Sequence, residues 1–159
     1  MTDFSITRAA CEGDFADVGK LFHAYAADLP VDLGAQRFVE ELAGLPGAYA
    51  PPAGALLLAR SKDGQPLGCI AIRPLRDGAC EVKRFYVAPE ARQLGLGRAL
   101  IAASIEQARL AGYREVKLDT LPTMQTAIKL YESFGFVPIA PYGSHPYPGL
   151  ICLGKRLGN

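Results

Sequence analysis

Two Asp-Gly pairs, Asp63-Gly64 and Asp77-Gly78, divide residues 55–87 into three apolar runs, Ala55–Ser61, Pro66–Pro74 and Ala79–Val87. Asp-Gly between short apolar runs signals a tight hairpin, because a turn with positive φ tolerates these residues best. The three runs are therefore expected to form an antiparallel meander. The next segment is of another kind. In VAPEARQLGLGRAL, Val87–Leu100, Gly95 and Gly97 stand one residue apart, with Arg92 and Arg98 on either side. From Leu96 to Ala111 the pattern has helical spacing. Arg98, Ala102, Glu106 and Arg109 form one stripe, and Leu96, Leu100, Ile101, Ile105, Ala108 and Leu110 cover the rest. Gly112 ends that helix, and Glu115–Asp119 is a short strand. Residues 79–119 thus read as strand–helix–strand, which places one parallel pairing inside an otherwise antiparallel sheet.

The flanks fit the same α/β class. Phe4–Arg8 alternates as a strand, and Asp14 or a residue near it is placed to cap a helix through Val18, Leu21, Phe22 and Tyr25 that Pro30 stops. Ala35–Leu42 is a second helix, and Leu45–Gly54 is a loop rich in Pro, Gly and Ala. After Pro122 and Thr123 a further helix ends at Phe134-Gly135-Phe136, and strands are expected at Phe136–Ile139 and Leu150–Leu153. With 159 residues, half of them hydrophobic, the chain has the size of one domain over 1–159 with an ordinary core.

Charge narrows the function classes. Seventeen basic residues against sixteen acidic ones give +1, and no polybasic tract is present, so neither nucleic acid nor an anionic membrane is an expected partner. The first fifteen residues lack a basic segment followed by an apolar one, and no window approaches ~20 apolar residues, which suggests a cytoplasmic protein. Cys11, Cys69, Cys80 and Cys152 form no Cys-x-x-Cys pair, and His23 and His145 are the only histidines. Reduced thiols are expected, with no disulfide and no metal.

The glycine loop admits three phosphate-binding readings. A nucleotide P-loop needs Gly-x-x-x-x-Gly-Lys-Ser/Thr, but Arg98-Ala99 follows Gly97. A dinucleotide fingerprint needs a third glycine where Leu100 stands, and too little chain follows Asp119 for the remaining strands of that fold. The third pattern, Arg/Gln-x-x-Gly-x-Gly/Ala, is met by Arg92-Gln93-Leu94-Gly95-Leu96-Gly97. Together with Phe85-Tyr86-Val87 before it and Leu130-Tyr-Glu-Ser-Phe-Gly-Phe136 after it, the stretch resembles the GCN5-related N-acetyltransferases, the GNAT superfamily. The likeness is strongest over residues 79–140.

That resemblance implies a GNAT-like mixed, mostly antiparallel sheet with helices on both faces. It also implies transfer of an acetyl group from acetyl-CoA directly to an amine, in a ternary complex. The pyrophosphate of CoA would lie against Arg92, Gln93, Leu94, Gly95, Leu96, Gly97 and Arg98, with Phe85, Tyr86 and Val87 beside it. Backbone N–H groups and the positive end of a helix are suited to such an anion. In this chemistry the attacking amine must be neutral. A lysine-like amine of pKa ~10.4 is so in only about one molecule in 2,500 at pH 7, hence the need for a base. The resemblance points to Glu81 as base, through water, and to Tyr131 as proton donor to the leaving thiolate. Glu81 is expected on one strand face with Lys83, Phe85 and Val87. Asp119 and His145 are rival bases, Glu81 is equally suited to a plain salt bridge, and Tyr131 to a core position. Many relatives have asparagine about seven residues before this tyrosine. Here Met124 stands there, so that contact is either absent or made by Thr123 or Gln125. Tyr142, His145 and Tyr147 are candidates for an acceptor pocket. The acceptor itself stays open between a small-molecule amine and a protein N-terminus or lysine, as does a non-catalytic acyl-CoA-binding module. Oligomeric state is equally open.

Overall fold

The computed structural model describes residues 3–29, 35–143 and 149–158. Along the chain run β1 (Phe4–Arg8), α1 (Glu12–Asp28), α2 (Ala35–Ala43), β2 (Ala55–Ser61), β3 (Pro66–Pro74), β4 (Ala79–Val87), α3 (Leu96–Leu110), β5 (Glu115–Thr120), α4 (Gln125–Ser133), β6 (Val137–Pro138) and β7 (Ile151–Arg156). The seven strands form one sheet in the order β1-β2-β3-β4-β5-β7-β6. Every neighbouring pair is antiparallel except β4 and β5.

The Asp-Gly signals are realised as hairpins. At the second, Asp77 and Gly78 both take positive φ (60° and 77°), and Ala79 N–H donates to Arg76 O at 3.2 Å. Positive φ at both central positions is the turn whose twist matches the flanking strands.

Alternation divides the core between the two faces of the sheet. On one face Ile70, Ile72, Cys80, Val82, Val116 and Leu118 pack against α3 and α4. On the other, Leu56, Leu58, Cys69 and Ala71 pack against Val18, Leu21 and Phe22 of α1 and Phe38 of α2. Two details depart from the sequence expectations. Leu110 is 70 % exposed. Two positions beyond buried Ala108, it has turned about 200° round the helix, away from the Leu96–Leu100–Ile101 face. And α1 begins at Glu12 with Cys11 as N-cap, so Asp14 lies inside the first turn, where its carboxylate accepts the N–H of Ala10 at 3.0 Å. That contact and the hydrogen bond from Arg60 hold its pKa below the usual carboxylate range. Pro30 lies outside the described residues.

The departure that matters most is in β4. Opposite Cys69–Ala71 the strand carries one extra residue, and Arg84 there has φ 58°. Such a bulge shifts the alternation by one. Cys80 and Val82 face α3 before it, and Phe85 and Val87 face α3 after it. Glu81 and Lys83 are therefore on the opposite face from Phe85 and Val87, which corrects the single-face expectation. No alternation rule reveals an inserted residue.

Candidate active site

The parallel pairing of β4 with β5 lasts three residues, from Ala79–Glu115 to Glu81–Lys117. Beyond it the strands separate, and a crevice outside the carboxyl ends of parallel strands is where open α/β sheets place ligands. A cavity of about 740 Å³ lies there. Its walls come from Tyr25 and Asp28 of α1, from the end of β4 with the glycine loop, and from residues 123–130 leading into and along α4.

At one end of the cavity is the loop itself. Gln93 (φ 72°) and Gly95 (φ 81°) are left-handed, and Gly95 is the N-cap of α3. The first N–H bonded along the helix is that of Ala99, to Gly95 O at 3.1 Å. The N–H groups of Leu96, Gly97 and Arg98 thus precede the first helical hydrogen bond. A concave run of such donors at the positive end of a helix suits a diphosphate. Gly95, Gly97, Gln93, Arg92 and Arg98 all line the cavity, as do Phe85, Tyr86 and Val87. Leu94 and Leu96 do not: Leu94 is exposed and Leu96 is buried in the core under α3. Their side chains fall outside the cavity, and only their backbone belongs to the loop.

The arginines are already oriented. Arg92 donates from Nε to Val87 O at 3.0 Å and lies over the Tyr86 ring, 5.8 Å from its centroid. Arg98 donates to Ser133 Oγ at 3.2 Å and lies over Phe134, 5.2 Å from its centroid. Both remain at the cavity wall, although Arg92 Nη2 is also 3.5 Å from Asp28 Oδ2, an exposed pair with which an anion in the cavity would compete. At the α4 end Thr123, Met124 and Gln125 line the wall together, and the Gln125 amide nitrogen also donates to Pro122 O. Ala127, small as the sequence indicated, lines it one turn before Tyr131.

Tyr131 is 5 % exposed and packs between Phe85 and Phe136, with ring centroids 5.9 and 5.6 Å away. Its hydroxyl makes no hydrogen bond among the described residues. Burial raises its pKa far above the usual tyrosine value, and Tyr25 and Asp119 add to the effect. A buried phenol with no partner is uncommon, and a role in chemistry is one reason to keep it.

Glu81 lies across the sheet from this hydroxyl's core and is 2 % exposed. Oε1 accepts from Arg73 Nε at 2.8 Å, and Arg73 Nη2 is also 2.8 Å away. Oε2 accepts from the Tyr142 hydroxyl at 2.7 Å. The salt bridge foreseen for Glu81 therefore exists, with Arg73 on the neighbouring strand. Burial first, and then the charge of Glu81, raise the Tyr142 pKa and keep that phenol a donor. Asp119, on the same face of β5, stands opposite Cys152 in β7. His145 and Tyr147 lie outside the described residues.

Tyr25 is expected from the sequence on the α1 stripe but not as a site residue. Its ring lines the cavity and also sits 5.8 Å below the Arg84 guanidinium, so it joins the cavity to the β4 bulge. The helical stripe through Val18, Leu21, Phe22 and Tyr25 contains it, but a stripe cannot separate a lining residue from a core one. Among the described residues no group of three or more His, Cys, Asp or Glu side chains is placed to hold a metal ion, and no helix is long and apolar enough to cross a membrane.

The left-handed Gly95 yields a direct test. A Cβ there meets nothing within 4 Å and would stand in the open cavity, whereas one on Gly97 would press on Leu130 at 3.2 Å and Phe85 at 3.4 Å. Gly95→Ala is therefore the cleaner probe. It should lower acetyl-CoA affinity about tenfold, since a left-handed L-residue costs ~1–2 kcal/mol and the N–H cradle opens to relieve it. Calorimetry giving wild-type affinity for the folded variant would remove the loop from the binding site.

Comparison with known proteins agrees with this geometry. The family model described as the acetyltransferase (GNAT) family matches residues 20–136. An uncharacterised N-acetyltransferase of Schizosaccharomyces pombe is 38 % identical over 151 residues, covering 94 % of this chain and 93 % of its own. An IAA acetyltransferase of Azospirillum brasilense is 39 % identical over 94 residues, 57 % of this chain and 61 % of that protein. Among solved structures, a GNAT-family acetyltransferase from Staphylococcus aureus superposes with a TM-score of 0.82 at 17 % identity, over 98 % of this chain and 99 % of its own. The match in sequence covers the glycine loop, the splayed strands and α4 alike, and the chain belongs to the GNAT family of N-acetyltransferases.

Proposed function

We propose that this N-acetyltransferase transfers the acetyl group of acetyl-CoA to the primary amine of a small molecule, by direct attack in a ternary complex. The observation that carries the reading is the crevice between β4 and β5. The N–H cradle at residues 95–98 marks its phosphate end, and Ala127 and Leu130 carry its wall along α4 to the neighbourhood of Tyr131, which is not itself a lining residue. The Glu81–Tyr142 pair is likewise outside the lining, on the other face of β4, and is assigned to the acceptor side. Glu81 is 2 % exposed and accepts from the Tyr142 hydroxyl, an enclosure of the carboxylate that suits a small amine better than a peptide segment. The family membership implies that the acyl donor is a CoA thioester.

In this reading Tyr131 gives its proton to the departing sulfur, since burial keeps the phenol protonated. Glu81 receives the amine's proton. Both carboxylate oxygens are already engaged, so the proton arrives through Tyr142, which accepts it on its own oxygen while donating to Oε2. Glu81→Gln should lower kcat/KM about 100-fold at pH 7, the lower end of general-base effects, and less at pH ~9, where more amine is neutral. An equal loss at both values would make Glu81 structural. Release of free CoA across a panel of small amines and lysine peptides tests the acceptor class. Turnover of peptides alone would overturn the small-molecule reading.

A further inference from the structure

The sheet face that α1 and α2 leave open carries charged side chains from three adjacent strands. They are Arg73 of β3, Glu81 and Lys83 of β4, and Lys117 and Asp119 of β5, with Tyr142 folded over them. Arg84 of the bulge and Glu41 of α2 complete the surroundings. Two pairs are closed. Arg73 binds Glu81, and Arg84 binds Glu41 with Nη2 to Oε1 at 2.7 Å and Nε to Oε2 at 2.9 Å. Lys117 has its ammonium over the Tyr142 ring, 5.4 Å from the centroid. Lys83 makes no hydrogen bond or ion pair among the described residues, although it is partly buried. It sits just past the last β4–β5 pair, where the strands separate.

An ammonium withdrawn from water with no direct partner is costly. Burial accordingly draws the Lys83 pKa down, against the raising effects of Glu81 and Asp119 and together with the repulsion of Arg84 and Arg73. We propose that Lys83 is the anion-binding residue of the acceptor site, so that the acceptor is an amine that also carries a carboxylate or a group of like charge. This rests on the N-acetyltransferase reading of the same crevice. Lys83 and Glu81 are two residues apart on one strand face, roughly 7 Å. An amino acid spans that distance with its amine toward the Glu81–Tyr142 pair and its carboxylate on Lys83. A polyamine or other polycation would instead bring charge against Lys83, Arg73 and Lys117, while Glu81 and Glu41 are already occupied and, among the described residues of this face, Asp119 is the one further carboxylate.

The test measures CoA release with L-amino acids, the matching amino-acid amides and spermidine. The wild type should prefer acids over their amides by about 10- to 100-fold in kcat/KM, the range of a hydrogen bond to a charged group. Lys83→Met should collapse that ratio toward one through a rise in the KM of the acids, and Lys83→Arg should restore much of it. Thermal melting and acetyl-CoA titration of each variant establish that it is folded. Amides or spermidine preferred by the wild type, or an acid preference that survives Lys83→Met, would overturn the inference and leave the N-acetyltransferase reading standing. No CoA release from any amine, with acetyl-CoA still bound, would overturn that reading and the inference with it.

Discussion

Tyr131→Phe should lower kcat about 100- to 10,000-fold, the span of general acid–base contributions, while the protein melts no earlier than the wild type. The two halves of this expectation have separate causes. The ring contacts with Phe85 and Phe136 survive the change, so packing is preserved. The hydroxyl that is lost has no hydrogen-bond partner among the described residues, and removing an unsatisfied buried polar group is neutral or stabilising. Only the departing sulfur loses a partner. Because burial keeps the phenol protonated throughout the working range, the wild-type pH profile should show no alkaline limb from Tyr131. Since the interaction belongs to the transition state, kcat and kcat/KM should fall together while acetyl-CoA affinity holds. Normal turnover by the phenylalanine variant would reduce Tyr131 to a core residue.

What the chain discloses and what it withholds are set by interaction range. The Asp-Gly turns, the Gly95 N-cap and the strand–helix–strand unit are each written within a few residues, because backbone conformation is a local property. Pairings across the sheet are not. Tyr142 reaches Glu81 over 61 positions and Arg84 reaches Glu41 over 43. No spacing rule connects such residues, so Arg73 and Glu41 could not be named in advance. The bulge at Arg84 has its own lesson. An alternating strand was legible, but one inserted residue exchanges its faces beyond that point, and Glu81 therefore parts company with Phe85. Leu94 and Leu96 fell within the motif by position, yet side-chain direction put one in solvent and the other in the core. The GNAT fold was legible because it is built from local signals, and the acceptor side was obscure because it is assembled from distant ones.

Those long-range contacts lead to the other large effect. Glu41→Ala should destabilise the protein by about 3–5 kcal/mol, the cost of breaking a buried ion pair on one side. For a chain of this size that is roughly 6–20 °C in Tm. The Arg84 side chain is 11 % exposed and that of Glu41 22 %, so neither charge can turn fully to water once its partner is gone. Tyr49, whose hydroxyl donates to Glu41 at 2.9 Å, loses its acceptor as well. Arg84 also holds the left-handed backbone of the bulge, a conformation that costs an L-residue ~1–2 kcal/mol. Its guanidinium is fixed by Glu41 and lies over Tyr25 and Phe38, at 5.8 and 5.7 Å. Released from Glu41, the strand can relax toward regular β geometry and turn Phe85 and Val87 away from the cavity, so acetyl-CoA affinity should fall together with stability. The pH dependence is governed by Glu41. Desolvation raises its pKa, but the hydrogen bonds and charge of Arg84 outweigh that and leave it below its ordinary value. A depressed carboxylate stabilises the fold above its unfolded pKa of roughly 4.3, and the contribution is lost as pH falls through the lower folded value. The stability gap between wild type and Glu41→Gln should therefore be full at pH 7 and shrink below pH ~4. A double change, Glu41→Leu with Arg84→Met, should recover most of the Tm, because well-packed apolar residues replace a buried pair at little cost. It should not restore acetyl-CoA affinity, since nothing then holds the bulge. Recovery of both would mean that the bulge needs no clamp, and that the pair serves packing alone.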